Sequence, residues 1–429
     1  MNIFNKADDI TRRSFVRGAA GSLLGVSYMS QFGHAEEKAP APVNYPKGTA
    51  KSVIYLYMSG GMSHLDSFDI KPENSEVRGD AGAIKTNVSG IRVSKFFPEV
   101  AKQMDKIAIV NSLTTTQGAH EEGRYIMHTS YAQRGTIRHP DMGAWVTKLG
   151  GKISETLPAF VKVGGGGRSL GGGFFEPKYA ALPVGDPKSG LQYSTRHKTV
   201  SEEVFNDRLA MLKEMNGEFQ AKYKQKSVNA YDAMYTDAVK LMTSEDLKAF
   251  DLSLEDSKNA ARYGENKFGQ GCLLARRLVE KGVRFVEVNL GGWDNHSGIY
   301  ERFAENSKTL DTALAALLAD LKAKGLLDST LVVLATEFGR TPKINQNKGR
   351  DHYPKAFSGL LAGGGIKGGQ VYGKTDAGGM NVVENKVGVE DFNATIARAL
   401  GLPVEKILFS PTGRPFQIAH KGKPITALL

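Results

Sequence analysis

Residues 271–296 read GCLLARRLVEKGVRFVEVNLGGWDNH. Leu274, Ala275, Leu278 and Val279 recur at helical spacing and share one face, and Gly282 ends that helix. Val283–Leu290 follows as a run of strand length, rich in β-branched and aromatic residues. Gly291 and Gly292 turn the chain, and Trp293, Asp294, Asn295 and His296 come next. Helix, tight turn, buried type of strand and polar loop make up the repeating unit of a parallel α/β sheet.

The unit recurs on both sides. Apolar runs of strand length lie at Val53–Met58, Ile107–Val110, Ala159–Val163, Leu331–Ala335 and Phe357–Leu361. Leu310, Ala313, Leu314, Leu317, Leu318 and Leu321 mark a second helical face, which Gly325 ends. Asp391 is expected to cap a short helix that closes at Gly401, with Pro403 beyond. The expected fold is a three-layer α/β/α domain, 52–429, with a mostly parallel sheet covered on both faces. Residues at about 200–265 are rich in Lys, Glu, Met and Ala and read as a helical insertion.

Composition narrows the function. The chain has 429 residues, 41% hydrophobic and 24% charged, which excludes a disordered protein. Its 49 glycines follow no three-residue period, which excludes collagen. One cysteine excludes an internal disulfide and a cysteine-built zinc site, and Cys272 sits in an apolar helical stretch where a buried thiol is expected. The net charge of +11 is spread along the chain without a block of five Lys or Arg, so nucleic acid is not an expected partner. Such an excess suits an anionic substrate or a merely solvated surface.

Residues 1–35 read as an address. Thr11-Arg12-Arg13-Ser14-Phe15-Val16 has the form of a twin-arginine export signal. A short apolar run follows, and Gly33-His34-Ala35 suits cleavage after Ala35. A Pro-rich linker, 36–51, leads into the domain. The expected partner is the twin-arginine export machinery, and the expected location is periplasmic or secreted, with no membrane span after processing.

In open α/β sheets ligands bind beyond the carboxyl ends of the strands. Val53–Met58 is followed by Ser59-Gly60-Gly61-Met62-Ser63-His64-Leu65-Asp66, and Ile107–Val110 by Thr114-Thr115-Thr116 and then His120. Leu331–Ala335 is followed by Thr336-Glu337-Phe338-Gly339-Arg340, and a later loop holds Arg350-Asp351-His352. Four of the eight histidines beyond residue 35 (His64, His120, His296 and His352) therefore fall in post-strand segments, each near a carboxylate. Imidazole with carboxylate suits zinc, manganese or iron, and carboxylate alone suits calcium or magnesium; a divalent metal is expected, zinc, manganese or calcium. Trp293 either walls a pocket or packs in the core.

These segments carry a resemblance. YLYMSGGMSHLDSFD at 55–69, GAHEEGRYIMHTSY at 118–131, RRLVEKGVRFVEVNLGGWDNH at 276–296, VVLATEFGRTP at 332–342 and GRDHYP at 349–354 resemble the family called domain of unknown function 1501. That family is similar to the alkaline phosphatase/sulfatase superfamily. The resemblance implies an alkaline-phosphatase-like fold and an exported metal-dependent hydrolase of sulfate or phosphate esters. It implies metal ligands at Asp294, His296, Glu337 and His352, with His64 and Asp66 as further candidates. It places His120 where the superfamily has its nucleophile, so His120 reads as ligand, general base or nucleophile. Thr115 and Thr116 are alternative hydroxyls, Arg340 and Arg350 read as clamps on an anionic ester, and Arg124 reads similarly. The substrate expected is an anionic ester, such as one on a sulfated or phosphorylated glycan. A non-catalytic scaffold for binding or assembly at the cell envelope is the alternative, because residue 120 is not Cys, Ser or Thr.

Overall fold

The computed structural model of the chain describes residues 48–164, 171–223 and 235–429. The expected signal, 1–35, and most of the linker lie outside the described residues.

Strand β1 (Ser52–Met58) is buried along its whole length. Its side chains alternate, so Ile54, Leu56 and Met58 enter one core while Val53, Tyr55 and Tyr57 enter another. An apolar strand with two buried faces needs a helical layer on each side. The chain then adds α1 (Pro98–Ala101), β2 (Ile107–Thr114), α2 (His120–Thr129), α3 (Met142–Gly150), β3 (Phe160–Val163) and β4 (Leu182–Val184). After α4 (Glu202–Tyr223) come α5 (Lys267–Glu280), β5 (Phe285–Leu290), α6 (Ile299–Ala323) and β6 (Thr330–Ala335). Strands β7 (Phe357–Ala362), β8 (Gln370–Tyr372) and β9 (Val387–Gly388) and helix α7 (Val389–Ala399) complete the main layers.

The sheet order is β8-β2-β7-β6-β1-β5-β3-β4, with β9 beside β2. Only β7 runs antiparallel to its neighbours; the other pairings are parallel. Leu56 of β1 stands level with Val288 of β5 and Leu334 of β6. The three central strands therefore end together, and their outgoing loops share one rim of the sheet.

Val100, Leu274 and Leu317, from α1, α5 and α6, pack on one face. Met127, Trp145 and Phe392, from α2, α3 and α7, pack on the other. The leucine stripe of α6 is buried as its spacing predicts, and each of those side chains contributes roughly 1.5–3 kcal/mol over its exposed state. Gly325, just past that helix, has φ +67°, a conformation that suits glycine.

One expectation changes. Asp391 lies in the first turn of α7 rather than at its cap: Gly388 N–H donates to Asp391 Oδ2 at 3.0 Å, because helical backbone already begins at Val389. Segment 200–265 is helical where described, but no residue from Glu202 to Glu218 is buried, and Met211 and Met215 are exposed. Among the described residues no helix is long and apolar enough to cross a membrane.

Candidate metal centre

Four loops converge where β1, β5 and β6 end. The turn after β1 contributes Gly60 and Gly61, the loop after β5 contributes Asp294 and His296, and β6 runs into Glu337. A two-strand ribbon pairs Gly339–Arg340 with His352–Tyr353, so Arg340 and His352 stand opposite each other. Helix α2 starts at His120 and delivers that ring from the side.

Each of three imidazoles is tied through Nδ1. His120 Nδ1 donates to Glu337 Oε1 at 2.9 Å, His296 Nδ1 to Asp351 Oδ1 at 2.8 Å, and His352 Nδ1 to the Gly118 carbonyl at 2.8 Å. Acceptors at all three positions put the hydrogen on Nδ1 and leave a lone pair on Nε2. Those lone pairs face one carboxylate. His296 Nε2 and His352 Nε2 are 3.0 Å apart and lie 3.1 and 3.3 Å from Asp294 Oδ1. His120 Nε2 lies 3.2 Å from Asp294 Oδ2. His120, Asp294 and His352 each offer a ligand atom, all within 4.8 Å of one another.

Arg340 Nη2, 2.6 Å from Asp294 Oδ1, is one cation already among these acceptors. The spacing also fits a metal: donors about 2.0 Å from a tetrahedral ion sit about 3.3 Å apart. A hydrogen-bonded acceptor behind each imidazole is the usual support of a histidine ligand. The donor set therefore fits a divalent ion.

Electrostatics keep the carboxylates ionised. Burial alone would push Asp294 up, but the hydrogen bond from Arg340 outweighs it and Asp294 falls to about 2. Glu337 is buried, which opposes its charge, yet donors from His120, Gly60 N–H and Tyr57 hold it below the usual glutamate value. The hydrogen bond to Glu337 raises His120, while burial lowers His352.

The predicted residues divide into two groups. His120, Asp294, His296 and His352 meet, with side chains 24% to 46% exposed and so open to a solute. Glu337 meets them from behind: Oε1 takes Gly60 N–H at 2.8 Å and His120, and Oε2 takes the Tyr57 hydroxyl at 2.9 Å. His64, Asp66 and Arg350 do not join them. His64 is buried with Nε2 3.0 Å from the Gly379 carbonyl, and a Cβ on Gly339 would sit only 2.9 Å from its Nδ1. Arg350 Nε and Nη2 donate to the two Asp66 oxygens at 2.8 and 3.1 Å. Its remaining N–H groups go to the carbonyls of Val77, Thr341 and Pro342, so it keeps no donor for an ester. Arg340 is also fully buried, bonded to Gly60, Gly61 and Arg350 carbonyls and, at 2.6 Å, to Asp294 Oδ1.

A cleft of about 390 Å³ opens beside this group, lined by Ser59, Gly60, His120, Glu121, Arg124, Gly291, Gly292, Asp294 and Glu337. Thr115 and Thr116 are not among its walls. Arg124 lies one helical turn after His120, its Nε is buried without a partner, and among the described residues no carboxylate lies within ion-pair distance of it. The buried Phe338 ring lies 5.2 Å from His120 and 4.6 Å from His352, spacing both imidazoles. Gly61, at φ +77°, makes room for it, since a Cβ there would stand 2.6 Å from the ring. Trp293 is buried against Phe303 and belongs to the core. Tyr57 and Asp351 were not singled out from the sequence; the alternation of β1 and the Asp351–His352 adjacency were their signals.

Fold and site together define a mixed α/β protein with a candidate metal centre at the carboxyl ends of its parallel strands. The chain belongs to the family described as Protein of unknown function (DUF1501), matched over residues 50–429. No curated protein matches it in sequence. Among solved structures it is similar to the PsFucS1 sulfatase from Pseudoalteromonas sp., at 14% identity and TM-score 0.39 over 88% of this chain and 73% of that one. It is similar to a protein in the alkaline phosphatase superfamily from Vibrio parahaemolyticus, at 10% identity and TM-score 0.42 over 90% and 71%. It is also similar to the phosphonate monoester hydrolase SpPMH from Silicibacter pomeroyi, at 10% identity and TM-score 0.39 over 87% and 76%.

Proposed function

We propose that the chain is a metal-dependent hydrolase of sulfate or phosphate esters, exported by the twin-arginine route to the periplasm or beyond. The reading is carried by one observation: Nε2 of His296 and of His352 and a carboxylate oxygen of Asp294 lie 3.0 to 3.3 Å apart, with both Nδ1 atoms tied down. These three residues would hold the ion. Two imidazoles and one carboxylate suit zinc or manganese better than calcium. A divalent ion bound there supplies Lewis-acid polarisation of the ester.

The chain's own residues do the rest. His120, its Nδ1 held by Glu337 and its Nε2 3.2 Å from Asp294 Oδ2 at the wall of the cleft, would take a proton from the attacking water as the alcohol of the ester leaves. Arg124 pairs with the anionic oxygens of the ester, the part first assigned to Arg340 and Arg350. The exposed ligands admit a group carried on a larger molecule, such as a sulfated or phosphorylated glycan. Export rests on the Arg12-Arg13 segment of the sequence alone.

Metal content of the purified protein, measured by elemental analysis, is the first test, followed by chromogenic phosphate monoesters, diesters and sulfates with and without chelator. A protein that neither carries nor takes up zinc or manganese, and turns over none of these esters, sinks the reading. A binding scaffold is the second reading, favoured by the histidine at position 120. It predicts metal uptake with no turnover of any ester.

A further inference from the structure

The cleft beside the centre has a charged part and a bare part. His120, Glu121 and Arg124 enter it from α2. Ser59, Gly60, Gly291 and Gly292 enter it from the loops after β1 and β5, and among the described residues no Phe, Tyr or Trp lines it. Arg124, whose Nε is buried without a partner, holds the anionic oxygens in the reading above. The alcohol part of the ester offers that guanidinium no charge, and the wall left for it is the glycine wall.

The three glycines differ in what excludes a side chain. Gly60 has φ +119°, and a Cβ there would stand 2.5 Å from the Asp294 nitrogen. Gly292 has φ +92°, and a Cβ there would stand 2.7 Å from Asn306 Nδ2. Backbone and neighbours together require glycine at both. Gly291 is under neither constraint: its φ lies outside the left-handed region, and among the described residues no atom comes within 4 Å of a Cβ placed there. Its main chain is held on both sides all the same. Ser59 N–H donates to the Leu290 carbonyl at 2.9 Å, and Asn306 Nδ2 donates to the Gly292 carbonyl at 2.8 Å. The wall at Gly291 is therefore fixed, and a side chain there would stand in the open space of the cleft that this residue lines.

We propose that the alcohol part of the ester passes over Gly291, and that this glycine is a specificity-determining residue that admits esters of wide, ring-bearing alcohols. This rests on the ester-hydrolase reading above. A side chain at this position would act by clash: it would bar a wide alcohol while leaving the charged group, held by Arg124, its place. At about 390 Å³ the cleft is at the small end of ligand pockets and takes the ester group with one ring beside it.

The test uses phosphonates, whose carbon–phosphorus bond ester hydrolysis does not cut. Binding of phenylphosphonate and of methylphosphonate to the full-length protein is measured by calorimetry for the unmodified chain, Gly291→Leu and Gly291→Ala. Both variants are expected to fold, since a Cβ at this position meets no described atom within 4 Å. The unmodified chain binds both phosphonates. In Gly291→Leu the ratio of the two affinities shifts at least about tenfold against phenylphosphonate, and in Gly291→Ala about threefold in the same direction. An unchanged ratio in the folded variants would overturn the proposal while leaving the hydrolase reading intact. An equal loss of both ligands would do the same, because it would mean that the loop itself had moved. If the unmodified chain bound neither phosphonate, the anionic-ester reading would fall and this proposal with it. If Gly291→Leu does not fold, the Gly291→Ala ratio decides the matter.

Discussion

Arg340 and Arg350 lie ten residues apart in the chain, each paired with an aspartate, and the two pairs do opposite things. Arg350 and Asp66 are both without exposed surface, and every N–H of Arg350 meets an acceptor. Arg340 is equally buried, but its partner Asp294 is 46% exposed and turns its oxygens toward three histidines. The first pair is closed and ties the β1 turn to the segment before His352. The second is open on one side, and chemistry is available there. The difference lies in how many partners each carboxylate already has, not in the residue types.

Breaking the closed pair should have the largest effect on stability. Arg350→Met leaves Asp66 buried and unpaired apart from Ser63 and Tyr300, and a loss of about 3–5 kcal/mol is expected in denaturant unfolding. A loss under about 1 kcal/mol would mean that the pair is not the lock it resembles. Breaking the open pair should act on metal instead. Asp294→Asn is expected to fold, and to fall from one bound ion to a small fraction of one in elemental analysis.

Glu337→Gln sharpens the contrast, because it removes charge behind His120 without touching the proposed ligands. Its esterase turnover should drop about 10- to 100-fold while the count of bound ions stays unchanged. Loss of the ion itself would show that Glu337 is a ligand after all. Arg124→Ala should raise KM for anionic esters by about tenfold and weaken its dependence on salt, with kcat moved less. The smallest effect concerns acid. Asp294 is depressed to about 2, so the stability it contributes is fully present above about pH 4 and is lost as pH falls through about 2. Asp294→Asn should flatten that limb of the acid-unfolding curve.

The sheet was legible because its signals are local. Runs such as Val53–Met58 and Leu331–Ala335 lie within strands of nearly the same bounds, since an apolar segment of that length must be buried on both faces. The short strands β4, β8 and β9 carry too few residues to show a pattern and were not expected. The position of Asp391 differed by the few residues over which a cap and a first-turn acid look alike in sequence.

The candidate site was legible only as a set of loops. His120, Asp294, His296 and His352 were picked out because each follows a strand, but so were His64, Asp66 and Arg350. Nothing in GGMSHLD separates a histidine that faces a backbone carbonyl from one that faces a carboxylate. Arg340 and Arg350 both read as anion clamps, because an arginine in a loop is free until its acceptors are known. Arg124 proved the unpaired one because α2 turns it toward the cleft.

Chain order alone settled the alternation of helices and strands, the two-faced core and the loops that share a rim, because these follow from spacing and burial within short segments. Only tertiary structure decided which His and Asp side chains meet, which arginine is spent on carbonyls and which carboxylate keeps lone pairs to offer. Those outcomes depend on partners up to 315 residues away, as between His64 and Gly379, and hydrogen-bonding capacity is used up in space, not along the chain.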